Sequence, residues 1–247
     1  MSDNRPLLEI INLSIRYRSN QGVFNAVKSI SFSIERGKTF GLVGESGSGK
    51  SSVGKAILCL IPKSEGIIKY DNKLMTQMQP KKLQMIFQDP YSSINPRMQI
   101  VDIIREPLDI HKIVNREFRT KRVKELLSLT GLSLDVLNKY PTELSGGQRQ
   151  RVGIARTLAI NPEFIFCDEP TSSLDAYHEQ LIIKLLQNLQ SEFNLTYLFV
   201  SHNLSLITKI SHEIGVMYRG EIVEKGTSQS LISERKHPYT QALFSLI

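Results

Sequence analysis

The 247 residues are 40% hydrophobic and 22% charged, with 15 glycines and 10 prolines, a make-up that excludes disordered, collagen-like and repeat architectures and suits one large domain or a core with an inserted subdomain. Cys59 and Cys167 both sit in apolar runs without metal-site spacing, so they read as buried thiols in a reducing compartment rather than as a disulfide framework. The net charge of +7 admits nucleic acid, anionic lipid or nucleotide as partners, while the apolar runs fall far short of the ~18 residues of a membrane span, so a membrane role would be borrowed from a partner.

From the N-terminus, Met1 to Pro6 is polar with no apolar stretch behind it, unlike a secretory signal. Leu7 to Tyr17 and Ala26 to Glu35 alternate as two strands around a turn at Ser19-Asn20-Gln21-Gly22, a pattern that predicts an antiparallel flap. Tyr17 closes the first strand, where its ring could stack on a purine base or be a surface tyrosine. The run Thr39 to Val43 is short and apolar and leads into Gly44-Glu45-Ser46-Gly47-Ser48-Gly49-Lys50-Ser51, after which Ser52 to Leu60 has helical spacing. This is the strand, glycine-rich loop and helix of a phosphate site. Its glycines let backbone N–H groups and the positive helix end approach phosphate, Lys50 reaches the β- and γ-phosphates, and the Ser51 hydroxyl suits Mg²⁺.

Gly66 to Tyr70 and Leu83 to Phe87 read as short strands, and Gln88 follows the second, where its carbonyl could serve Mg²⁺ or a water, or be a loop group. From Met98 to Leu158 the pattern is helical and amphipathic, with Gly131 at the C-terminus of the helix that buries Val123, Leu126, Leu127 and Thr130. Arg116, Arg119, Lys121, Arg122 and Lys124 form a solvated helix face. Leu144-Ser145-Gly146-Gly147-Gln148 opens a helix from Arg149 to Ile160, a second anion-binding helix start. Phe164 to Cys167 reads as a buried strand that delivers Asp168 and Glu169 to a sheet edge. Asp168 suits Mg²⁺ and Glu169 an attacking water; the plainer reading is an acidic pair capping the next turn. Thr171 to Asp175 then starts a helix burying Leu181, Ile182, Leu185, Leu186 and Leu189, and the strand Leu195 to Val200 ends at Ser201 and His202, a candidate γ-phosphate contact.

This order of motifs resembles the ATP-binding cassette family of ATPases from Leu7 to Ile247. The resemblance implies an α/β P-loop core, mostly parallel sheet flanked by helices, in a single 247-residue domain. Residues 1–97 would form the flap and first part of the core, 98–158 the inserted helical signature subdomain, and 159–247 the second part with the C-terminal helices. It makes Tyr17 the base-stacking aromatic, Gly44 to Ser51 with Ser52 the ATP loop, Gln88 the Q-loop, Asp168 and Glu169 the Walker B pair and His202 the switch histidine. Ser145, Gly146, Gly147, Gln148 and Asp175 would meet ATP held by a second ATPase subunit in a head-to-tail dimer. The cofactors implied are ATP and Mg²⁺, the metal on Ser51, Gln88 and Asp168.

Phe87 to Arg97 and His237-Pro238-Tyr239-Thr240-Gln241-Ala242-Leu243 are similar to the oligopeptide, dipeptide and nickel import group. That similarity implies two membrane permeases, a second, non-identical ATPase subunit, an extracytoplasmic binding protein and a place on the cytoplasmic face of the cell membrane, without nucleic acid. Ile94 and Ser173 replace the usual leucine and alanine and remove no catalytic group. Relatives that continue past this segment often carry clustered cysteines; an iron–sulfur site is not expected here. A nucleic-acid or ribosome ATPase and an exporter subunit remain the alternatives.

Overall fold

The computed structural model describes residues 5–19 and 22–245. In chain order the elements are β1 (Pro6–Ser19), β2 (Gly22–Glu35), β3 (Thr39–Val43), α1 (Lys50–Ile57), β4 (Glu65–Tyr70), β5 (Lys73–Leu74) and β6 (Leu83–Ile86). They continue as α2 (Pro90–Ser93), α3 (Ile100–His111), α4 (Arg119–Leu129), α5 (Gly146–Leu158), β7 (Phe164–Asp168) and α6 (Ala176–Phe193). The chain ends through β8 (Thr196–Ser201), α7 (Leu204–Ile210), β9 (Glu213–Tyr218), β10 (Glu221–Thr227), α8 (Ser228–Ser233) and α9 (Pro238–Phe244). Two compact units result, one of Met1–Gln79 with Asn194–Ile247 and one of Pro80–Phe193.

The first unit holds an antiparallel sheet in the order β2-β1-β4-β5. Its alternation is visible in β2, where Ile30, Phe32 and Ile34 are buried and the residues between them face solvent, the two-residue period of a strand with one wet face. The expected turn falls partly on Asn20 and Gln21, outside the described residues. Beside it β3 runs parallel to β8 on one side and β9 on the other, and β10 pairs antiparallel with β9. Both β3 and β8 are buried at every position, the continuous apolar reading of strands covered on two faces. Phe32 and Phe40 stack with ring centroids 4.4 Å apart and fasten β2 to β3.

In the second unit β6 and β7 pair in parallel, with Ile86 opposite Cys167. Of the helices, α5 packs on β6 and in turn meets α3, α4 and α6, and Ile103, Leu108, Val123, Leu126, Val152 and Leu186 on these helices are all buried. Gly131 has φ 66° just past α4, as a helix-ending glycine requires.

Three expectations are corrected. Cys59 is half-buried, because α1 ends at Ile57 and the chain turns there with Cys59 at φ 55°; Cys167 is buried as read. In α6 it is Ile183, not Leu181, that joins Ile182, Leu185, Leu186 and Leu189 inside. The basic cluster is not wholly solvated either: Arg119 pairs with Asp109 at 2.6 Å and is largely covered, and Arg122 reaches Glu125 and Asn161.

Candidate nucleotide-binding site

In the first unit the loop between β3 and α1 curls around the Lys50 side chain. Gly49 takes φ 107° as the N-cap of α1, and a Cβ there would collide with the Ala26 carbonyl oxygen, so glycine is required for conformation and for space. Lys50 is buried, and its Nζ donates to the carbonyl oxygens of Gly44 and Glu45 at 2.7 Å each and to Ser48 Oγ at 3.4 Å. A cation is thus fixed in a concave loop of backbone at the N-terminus of a helix, the charge and dipole arrangement that phosphate prefers.

Two expected contributors lie near this loop by topology. Tyr17 Oη and Ser52 Oγ are 3.0 Å apart, which ties the half-exposed tyrosine to the first turn of α1. Val43 pairs with Ser201 in the parallel ladder of β3 and β8, so Gly44 and His202 leave neighbouring strand ends. His202 sits exposed between β8 and Asn203, whose side chain caps α7.

The second unit gathers the carboxylates. Because Ile86 is level with Cys167, Gln88 and Glu169 are the second residues beyond the same rung, and Gln88 Nε2 donates to Glu169 Oε2 at 3.3 Å. Asp168 is buried at the end of β7. Burial, with the Asp168 charge beside it, pushes the Cys167 thiol far up, which keeps it protonated. Glu169 takes φ 45°, a left-handed conformation that a glutamate rarely adopts, and its carbonyl accepts from Ser172 N–H at 3.2 Å and Ser172 Oγ at 3.1 Å. Strain of this kind collects at working sites.

The glycine pair at the start of α5 is built as a capping box. Gln148 N–H donates to Ser145 Oγ at 3.3 Å, and Ser145 N–H donates to Gln148 Oε1 at 2.9 Å. A side chain at Gly147 would press on the ring of His178, and one at Gly146 would touch Leu174. His178 Nδ1 lies 2.7 Å from Asp175 Oδ2, and its N–H donates to Asp175 Oδ1. Those bonds, the backbone one first, hold the Asp175 carboxyl below the usual range.

The predicted residues therefore form two groups. Tyr17, Gly44 to Ser52 and His202 belong to the first unit; Gln88, Ser145 to Gln148, Asp168, Glu169 and Asp175 belong to the second. Sequence reading missed His178 and Tyr239, whose hydroxyl accepts from Glu45 N–H at 3.0 Å. A histidine three residues into a helix is ordinary, and the His237 to Leu243 segment marks Tyr239 by family similarity alone, without a sign that it reaches the loop.

Similarity to known proteins follows the same residues. The ABC transporter family profile matches residues 27–172. The chain is 48% identical to an oligopeptide transport ATP-binding protein of Streptococcus mutans, covering 100% of this chain and 83% of that protein. It is 44% identical to a dipeptide transport ATP-binding protein of Lactococcus lactis subsp. cremoris, again over 100% and 83%. A solved dimeric ATP-binding cassette in a post-hydrolysis state, bound to ADP and Pi, superposes with a TM-score of 0.80 at 30% identity, covering 90% of this chain and 98% of that one. With the phosphate loop, the strand-end acids and the capped glycine pair in place, the chain belongs to the ABC transporter family, as one of its ATPase subunits.

Proposed function

We propose that this subunit uses ATP hydrolysis to drive peptide uptake through membrane permeases. The observation that carries the reading is identity of 48% and 44% along the whole chain to oligopeptide and dipeptide transport ATP-binding proteins, beyond the family motifs themselves. Partners would be two permeases, a second and non-identical ATPase subunit and an extracytoplasmic binding protein, with this chain on the cytoplasmic face of the membrane and no nucleic acid in the complex. Among the described residues no helix is long and apolar enough to cross a membrane, so attachment would run through the permeases.

Lys50 and the N–H groups of the loop would bind the β- and γ-phosphates, with Tyr17 against the base. Glu169 would accept the proton of the attacking water while His202 steadies the γ-phosphate. Ser51, Asp168 and Gln88 offer a hydroxyl, a carboxylate and an amide carbonyl, an all-oxygen set that fits a hard cation such as Mg²⁺. That ion would supply neutralisation of phosphate charge. Ser145, Gly146, Gly147, Gln148 and Asp175 would close on the nucleotide held by the second subunit, so that hydrolysis reopens the pair.

The test is a pull-down of tagged full-length protein from detergent-solubilised membranes, with and without Mg-ATP, and mass identification of what co-purifies. Two multi-spanning permeases with a second ATPase are expected. Recovery of ribosomes, nucleic acid or an exporter in their place overturns the importer reading.

A further inference from the structure

We propose that Tyr239, in the C-terminal helix, is a positioning residue for the phosphate loop, acting on Lys50 through a single peptide group. The inference rests on the loop being the nucleotide site. The Tyr239 hydroxyl accepts from Glu45 N–H at 3.0 Å, and Lys50 Nζ donates to Gly44 O at 2.7 Å. Glu45 N–H and Gly44 C=O are the two ends of the same peptide. A peptide is planar and trans, so its N–H and C=O point in opposite directions and turn together. Tyr239 holds one end of that plate and Lys50 is bonded to the other. Gly44 sits at φ 154°, and a Cβ there would strike the Met217 carbonyl oxygen. The residue that must be glycine is thus also the one whose peptide can swing, and the tyrosine hydroxyl removes that freedom.

Tyr239 is itself held firmly. Its ring packs on Tyr218 at the end of β9 with centroids 4.2 Å apart, and the Arg219 guanidinium lies 5.1 Å from the Tyr218 centroid. Glu224 on β10 accepts from the N–H groups of Lys236 at 2.9 Å and His237 at 3.0 Å, which fastens the start of α9 to the hairpin. The hairpin tip makes the second grip on the loop: Gly220 N–H donates to Ser48 O at 3.1 Å, while Gly220 O accepts from Lys28 N–H at 2.8 Å. The phosphate loop is therefore clamped from outside at Glu45 and at Ser48, by two segments that Glu224 ties to each other. Burial raises the pKa of the Tyr239 phenol, so it stays a neutral hydroxyl through the physiological range.

The experiment compares the full-length protein with Tyr239→Phe, which deletes one oxygen and keeps the ring on Tyr218, and with Glu224→Ala, which releases the start of α9. Hydrogen exchange of the peptide spanning Gly44 to Lys50 and calorimetric titration with Mg-ADP are read for each, with Lys50→Ala as a nucleotide-binding control. Both variants are expected to exchange faster at Glu45 and to bind ADP about fivefold more weakly, the worth of one hydrogen bond. For ATP turnover, KM rises by a similar factor while kcat stays within about twofold, a split that general loosening of the fold does not produce. Unchanged exchange and affinity in Tyr239→Phe overturn the proposal. If the wild type itself fails to bind ADP, the nucleotide reading fails, and exchange at Glu45 still decides the clamp.

Discussion

Gln88 Nε2 donates to Glu169 Oε2 at 3.3 Å, although the two residues are 81 positions apart. The bond follows from the parallel register of β6 and β7, which places each residue two steps past the Ile86–Cys167 rung. Glu169 meets it from a left-handed backbone, φ 45°, one residue past the end of β7. Glu169→Gln is expected to lower kcat by a factor of about 100 or more, the usual contribution of a general base, while ATP affinity is retained. Steady-state hydrolysis with parallel nucleotide titration checks this; wild-type turnover in the variant would remove Glu169 from the reaction.

Lys50 has its ammonium bound by loop carbonyls in the concavity itself. Replacing it with alanine removes the fixed charge and leaves Gly44 O and Glu45 O without that donor. Lys50→Ala should weaken ATP and ADP binding at least about tenfold, in line with the loss of a charge-assisted bond, with little change in far-UV circular dichroism. Calorimetry giving wild-type affinity contradicts the assignment of the loop.

His178 lies between Gly147 and Asp175, so one ring contacts both a signature glycine and the acid that precedes α6. Gly147→Ala should then overpack the site at a cost of about 1–3 kcal/mol. The same change in a His178→Ala background should cost much less, because the ring that the new methyl strikes is gone. Thermal melts of the four proteins form a double-mutant cycle, and strictly additive shifts would show that the two residues do not meet.

His212 accepts from Thr39 N–H at 3.1 Å through Nδ1, so its ring must be unprotonated at that nitrogen. Burial first and the nearby Lys38 charge second lower its pKa, with Glu35 opposing them. The folded state therefore binds the proton less readily than the unfolded state. Stability from this group is complete above the unfolded value of about 6.5 and declines as pH falls below it towards the folded pKa. Urea denaturation between pH 5 and 7.5 should show this decline in the wild type and a flatter profile in His212→Asn, whose amide oxygen can still accept from Thr39. Identical profiles would exclude His212 as the source.

Much of the chain is legible in the sequence because its signals are local. The Gly49 position, the helix after it, the alternation of β2 and the unbroken apolar runs of β3, β7 and β8 are each written within a few residues. The same holds for the capping box of Ser145 and Gln148, three residues apart. Reading failed where an element's end is decided by packing, as at Cys59, where α1 stops short and the chain turns, and at Leu181, where the rotation of α6 favours Ile183.

Local sequence is thus enough to specify the phosphate loop, the strand-end acids and the glycine-started helix, since backbone conformation and helix capping depend on neighbouring residues. Tertiary structure selects the distant groups that complete them. Tyr239 reaches the Glu45 N–H across 194 residues and Gln88 reaches Glu169 across 81. Such partners are chosen by strand register and by where a helix docks, and the free energy that sets both is spread over the buried core of each unit rather than stored near the residues that meet.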